Sequence, residues 1–262
     1  AVAGITTFGA PNMVQAAETL VYVPNDAFET KLISLGYDTG ALDNYVPLAN
    51  VRGLTSLDLS NTQITDYKGL GSFTSLTSLN ISGNTTVTSL NSYMNIYRDT
   101  LPLPKSIRTI NLSGATRLTS LTIAGYDDSK LGLTGVTLTG NTALTSLSIQ
   151  STPLSSLDVS TLTSLTGLTV YDTALSSIDV SALTALTYLS LQSNKLTALN
   201  VASNTALTDL YVWGNQLSTL DVSKLTVLEG LSAGNNKLTS VILFLDNLHL
   251  GRLLLIDSDS PF

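Results

Sequence analysis

Between Leu144 and Val227 the chain states one pattern four times: LTSLSIQSTPLSSLDVSTLTS, LTGLTVYDTALSSIDVSALTA, LTYLSLQSNKLTALNVASNTA and LTDLYVWGNQLSTLDVSKLTV. The period is 21 residues, with Leu144, Leu165, Leu186 and Leu207 opening the units and an imperfect continuation from Leu228. Self-similarity at a fixed period of this length means a solenoid, because one unit cannot bury its apolar face until the next unit stacks on it. Within a unit the alternation is that of a strand. Leu189 and Leu191 fall on one face, while Tyr188, Ser190 and Gln192 take the other. Stacked units therefore predict a parallel sheet with strands about 4.8 Å apart and a continuous leucine core. Leu157, Val159 and Leu162, in the second half of a unit, enter that core from the opposite side. Asn194, Asn215 and Asn236 recur just after the strand, where an amide side chain can bond both the turning backbone and the neighbouring coil. Thr152 and Thr173 occupy that position in the first two units.

The spacing L-x-x-L-x-L-x-x-N-x-L in a period of this size resembles the leucine-rich repeat superfamily. The fold expected is an α/β repeat solenoid, a horseshoe or arc with a parallel β-sheet on the concave side, an irregular or short-helical convex side, and a helical N-terminal cap. Residues Pro24 to Gly36, PNDAFETKLISLG, predict that cap helix. Asp26 with Glu29 has capping-box spacing, Phe28, Leu32 and Leu35 share one face, and Gly36 stops the helix. The order of helix, Asp38–Asn44 loop and GLTSLDLS is similar to the cap of bacterial surface proteins of the internalin-like type, and ITDYKGLGSFTSLTSL is similar to their repeats. This resemblance spans about residues 18–248. It implies a secreted or cell-surface bacterial protein with an adhesin-like, non-enzymatic role and a protein ligand, a host protein included.

The expected organisation follows. Residues 1–17 read as the end of a secretory signal or as a disordered tail, residues 18–53 as the cap, and residues 54–248 as repeats. Insertions fall near 91–106 and 124–132, and residues 249–262 form a C-terminal cap or a truncated repeat. Insertions in repeat arrays lie on loops that often bind, which draws attention to Tyr93, Tyr97, Arg98, Tyr126, Asp127 and Asp128. Alternatively Pro102 and Pro104 simply carry the chain round a wide bend.

Composition excludes more than it assigns. A net charge of −7 over 262 residues argues against nucleic acid, which requires a basic surface. No stretch of about 20 apolar residues exists, so no membrane-inserting helix is expected. With no cysteine and a single histidine, His249, neither a Cys nucleophile nor a well-placed Ser-His-Asp triad is available, and no catalysis or cofactor is expected. The GYDTGALDNY loop lacks the alternating ligands of a calcium loop, so no metal is expected. Asp158, Asp179 and Asp221, with Asn200 between, form a column at the repeat spacing on the side away from the sheet. Such acids are expected to bond backbone amides of their own turns.

Positions 3, 5 and 7 of each unit should face outward from the concave sheet. In the units from Leu54, Leu76, Ile107 and Leu144 they are small or polar: Ser56, Asp58 and Ser60; Ser78, Asn80 and Ser82; Thr109, Asn111 and Ser113; Ser146, Ser148 and Gln150. The later units change character, and Tyr171, Tyr188, Gln192, Asp209, Tyr211, Trp213 and Ser232 are the candidate binding residues. Tyr and Trp are enriched at binding hot spots. Gly230 and Gly234 should leave a slot about 10 Å wide between Trp213 and Leu254, floored by Ser232. A protein partner is the first reading, a carbohydrate stacked on the rings the second, and a spacer for an absent domain the third. A monomer outside the cell or on its surface is expected.

Overall fold

The structure is a computed structural model that describes residues 19–92, 103–125 and 130–243, together with the backbone of residues 252–254. The described residues open with a two-stranded antiparallel ribbon, β1 (Leu20–Tyr22) with β2 (Tyr45–Pro47), between which lies α1 (Asp26–Ser34); a single turn, α2 (Leu48–Val51), leads into the repeats. Helix α1 forms where the apolar spacing predicted it, but its cap differs. Asn25, not Asp26, is the N-cap, its side chain accepting the Phe28 N–H at 3.0 Å. Glu29 therefore does not close a capping box. It is fully buried and its carboxylate takes the N–H groups of Asp43 and Asn44, pinning the following loop to the helix. Phe28 packs on Tyr67 and Phe73, fully buried rings that seal the first coil. Burial pushes the Tyr67 phenol up to about 12.

Thirteen strands of the repeats follow in chain order: β3 (Ser56–Asp58), β4 (Ser78–Asn80), β5 (Ser89–Asn91), β6 (Thr109–Asn111), β7 (Ser120–Ala124), β8 (Gly135–Thr137), β9 (Ser146–Gln150), β10 (Gly167–Tyr171), β11 (Tyr188–Ser190), β12 (Asp209–Tyr211), β13 (Thr219–Asp221), β14 (Gly230–Ser232) and β15 (Ser240–Ile242). The last described strand is β16 (Arg252–Leu254). All pair in parallel, but in two rows. One is the sheet β3-β4-β6-β8; the other is the eight-stranded sheet β5-β7-β9-β10-β11-β12-β14-β16, and β13-β15 forms a separate pair.

This corrects the expected outer face. The strands at Ser56, Ser78 and Thr109 do not continue into the strand at Ser146; β5 and β7 do, through Ser120↔Ser146 and Leu121↔Leu147. The side expected to be irregular carries strands in several coils, while the Leu157, Ile178 and Leu199 segments form none. The second row passes from β8 through the Leu157, Ile178 and Leu199 segments to β13, at 21-residue steps. Inward leucines of both rows meet in one core: Leu57, Leu79 and Ile110 from one side, Leu121, Leu147, Leu168, Leu189 and Leu210 from the other. At about 25 cal/mol per Å² of apolar surface buried, that shared core is what holds the coils together.

Two further devices fix the register. The threonine at position 2 of each unit donates its hydroxyl to the carbonyl of its counterpart one coil earlier: Thr145 to Thr119, Thr166 to Thr145, Thr187 to Thr166 and Thr208 to Thr187, at 2.9–3.2 Å among the bonds of this ladder. The turn after each strand needs a left-handed residue, which is Ser151, Asp172, Ser193, Gly214 and Asn235 on successive coils.

Candidate functional site

The candidate residues lie on consecutive strands of the eight-stranded sheet, placed by its register. Tyr188 pairs with Asp209, which pairs with Gly230, which pairs with Arg252; one step further out Ser190, Tyr211, Ser232 and Leu254 form the next row. Tyr171, Gln192 and Trp213 form a third row at the turn, tied by Asp172 N–H to Gln192 O and Ser193 N–H to Trp213 O. The alternation that buries Leu189, Leu210 and Val212 is the reason these side chains point outward. Tyr171, Tyr188 and Trp213 keep about two fifths of their surface in water, at 40%, 40% and 42%.

Tyr188 and Tyr211 are diagonal neighbours across β11 and β12, with ring centroids 5.5 Å apart and planes tilted by 51°. The Tyr211 hydroxyl donates to Asp209 Oδ1 at 3.0 Å, and Asp209 Oδ2 lies 2.9 Å from the Thr208 hydroxyl, whose single proton it shares with Thr187 O. Gln192 reaches back toward the buried Ser190 hydroxyl. Ser232 is half-buried on β14.

The expected open slot is not there at its Gly230 end. A Cβ on Gly230 would lie 2.6 Å from Asp209 Oδ1 and 3.4 Å from the Tyr211 hydroxyl, so these two side chains lean across the glycine and cover it. The missing side chain makes room for Asp209 and Tyr211 rather than for a ligand. The Leu254 wall lies outside the described side chains, as do Tyr93, Tyr97, Arg98, Tyr126, Asp127, Asp128 and His249.

The asparagine ladder lies beneath this surface. Asn215 Nδ2 donates to Leu191 O and Val212 O, and its Oδ1 accepts the Leu196 N–H; Asn236 repeats the arrangement one coil on. Thr173 donates to Asn194 Oδ1, and the buried Thr152 hydroxyl has no partner. The opposite row is used differently. Asp158, Asp179, Asn200 and Asp221 each accept the N–H two residues on at 2.9–3.0 Å, and Asp58, Asn80 and Asn111 do the same in the first coils. The acids thus belong to one column running from Asp58 to Asp221. The serine two residues on holds Asp58, Asp158 and Asp221 below the usual carboxylate range through its hydroxyl and then its N–H; at Asp179 the Ser181 N–H leads. A groove of about 430 Å³ crosses this row at Ser78, Asn80, Thr109, Asn111 and Thr137. Sequence reasoning missed the threonine ladder, although the recurring Leu-Thr dipeptide announces it.

Among the described residues no group of three or more His, Asp or Glu side chains could hold a metal ion, and no helix is long and apolar enough to cross a membrane.

Residues 48–174 match the family described as the endo-beta-N-acetylglucosaminidase EndoS LRR domain. A search of the curated proteins finds no match. Among solved structures, the chain is similar to the functional domain of InlJ from Listeria monocytogenes, at 23% identity and a TM-score of 0.39, covering 89% of this chain and 65% of that one. It is similar also to internalin C2 from the same organism, at 18% identity and a TM-score of 0.42, covering 90% of this chain and 93% of that one. The chain spans just under two thirds of the InlJ domain.

Proposed function

We propose that this chain, which belongs to the leucine-rich repeat superfamily, is a non-enzymatic recognition array that binds a protein partner through the surface of its eight-stranded sheet. The observation that carries the reading is the group of Tyr171, Tyr188 and Trp213, large rings left two-fifths exposed on three adjacent coils, where the first coils of the array present small polar side chains at the corresponding positions. Aromatic side chains give rigid contact area at low entropic cost, and they dominate interface energetics. Gln192, Asp209, Tyr211 and Ser232 supply the polar groups around them. The internalin-type likeness supports a place on a bacterial surface or outside the cell.

The exposed ring faces also favour a second reading, a carbohydrate stacked on Tyr188 and Trp213, and the matching family is named for an enzyme of glycan hydrolysis. The repeats would then serve beside a catalytic domain. Pull-down from host-cell surface extracts and from a mucin preparation, with wild type and Tyr211→Ala/Trp213→Ala, tests both. Capture by wild type and loss in the double variant, with matching circular dichroism, supports the site. Ligand that survives protease treatment makes it a glycan. Equal capture by both proteins removes this face from the function.

A further inference from the structure

Resting on the protein-binding reading above, we propose that the partner inserts a cationic side chain, arginine or lysine, against the exposed face of Tyr188 with Asp209 as counter-ion. Three observations converge. Tyr188 presents a ring face to water next to Asp209, its in-register neighbour, and such faces attract cations. Asp209 is held by the Tyr211 hydroxyl on Oδ1 and lies against the Thr208 hydroxyl through Oδ2, so the carboxylate is set before a ligand arrives. Its posture is possible only because position 230 is glycine: any Cβ there would meet Oδ1 at 2.6 Å.

The charges agree. Glu229, exposed on the coil beside Asp209 and bonded through its N–H to Thr208 O, adds a second carboxylate. Among the described residues neither acid has a cation within ion-pairing distance, whereas Asp172, the acid of the turn row, is already paired with Lys130 at 2.6 Å. Arg252 has its backbone in the same register row two strands beyond Asp209. The whole chain carries −7. A basic partner gains steering and specificity from these carboxylates. Lysine and arginine differ here in that a guanidinium can lie flat on the ring while bonding the carboxylate, so arginine should bind better.

The test is an NMR titration of the intact chain with N-acetyl-arginine amide, N-acetyl-lysine amide, N-acetyl-glutamine amide and N-acetyl-glutamate amide at equal ionic strength. Saturable shifts at Tyr188, Asp209 and Tyr211 are expected with the arginine probe, with at least about tenfold weaker response to glutamine, and none to glutamate. Asp209→Asn keeps an acceptor for the Tyr211 hydroxyl in its Oδ1, while its Nδ2 can donate to the Thr208 hydroxyl oxygen, whose proton stays on Thr187 O; it should lower the arginine affinity about tenfold without moving resonances elsewhere in the array. Equal affinity for arginine and glutamine, no effect of Asp209→Asn, or no saturable shift would overturn the inference. The outcome separates from that of the parent reading. A partner lost by Tyr211→Ala/Trp213→Ala but kept by Asp209→Asn in high salt leaves the binding face standing and removes the cation. A partner kept by the aromatic double variant removes the face, whatever the titration shows.

Discussion

The two rows of strands use the same residues inward and opposite ones outward. On the row from β3 to β13 the outward Asp or Asn closes onto its own backbone: Asp58, Asn80, Asn111, Asp158, Asp179, Asn200 and Asp221 each accept the N–H two residues on. On the eight-stranded sheet the turn is held from inside, by the buried amides of Asn194 and Asn215 and the half-buried amide of Asn236, and the outward side chains are released from that duty. Where the buried asparagine fixes the turn, Tyr188 and Trp213 can stand outside it. The coils from Leu186 and Leu207 carry both devices, Asn194 with Asn200 and Asn215 with Asp221, and only the row whose turn is held from inside has its outward side chains released.

The sharpest way to break this comparison is to delete one member on each row. Asn215→Ala leaves Leu191 O and Val212 O without one donor each and the Leu196 N–H without its acceptor, all of them buried. Leu191 O keeps the Asn194 amide and Val212 O the Asn236 amide, so one buried group is left unpaired, and at roughly 1–3 kcal/mol for such a group the loss should be about 2 kcal/mol in urea unfolding. Asn200→Ala removes a single bond to an exposed N–H and should cost under about 1 kcal/mol. Equal losses would mean that the buried ladder has no special weight.

A gain sharpens the same point. Thr173 stands where its successors carry asparagine; its hydroxyl takes the Leu175 N–H only at 3.4 Å and donates to Asn194 Oδ1. In Thr173→Asn the new Nδ2 meets Ile149 O and Val170 O by repeat geometry, and Asn194 Oδ1 becomes available to Leu175 N–H, as Asn215 Oδ1 serves Leu196. Carbonyls accept two such donors, as Val212 O does from Asn215 and Asn236. A stabilisation of about 1 kcal/mol is expected, read as a higher urea midpoint with unchanged slope. A destabilised variant would show that the first units are too tight for the longer amide.

Much of this was legible in the sequence, and the reason is the repeat itself. The 21-residue period gave the solenoid, the inward leucines, the buried asparagines and the outward place of Tyr188 and Trp213, because strand alternation leaves no other face for them. What it could not give was row membership in the first coils. The tetrapeptide Leu-Thr-Ser-Leu opens the strand segments at Leu54 and Leu76 on one row and at Leu118 and Leu144 on the other. Identical local sequence cannot say which row it joins; the pairing of β7 with β9 does. The covered Gly230 was hidden for a related reason. Its emptiness is visible in the sequence, but that Asp209 and Tyr211 lean into it depends on side-chain direction across two strands. The cap was misplaced by one residue because Asn25 and Asp26 are both good caps, and burial of Glu29 decided between them.

The smallest effect expected is on the acid limb of stability, and it belongs to the outer column alone. Asp158, Asp179 and Asp221 are held below the ordinary carboxylate value of 3.8 by the bonds they accept from Ser160, Ser181 and Ser223 in the folded structure. A carboxylate with a depressed folded pKa contributes stability that is present above the unfolded value and is lost as pH falls through the folded one. All three are at the surface, so water screens them and each contribution is small. The triple variant Asp158→Asn, Asp179→Asn, Asp221→Asn keeps the acceptor oxygen, as Asn200 shows by bonding the Ala202 N–H, but removes the titration. Urea midpoints followed from about pH 6 down to about pH 2 should therefore fall less steeply for the triple variant below the carboxylate range and run parallel to wild type above it. Superimposable acid limbs would show that the outer bonds form equally well in the unfolded chain, in which case the column shapes the turn without stabilising it and the buried asparagines alone hold the coils in register.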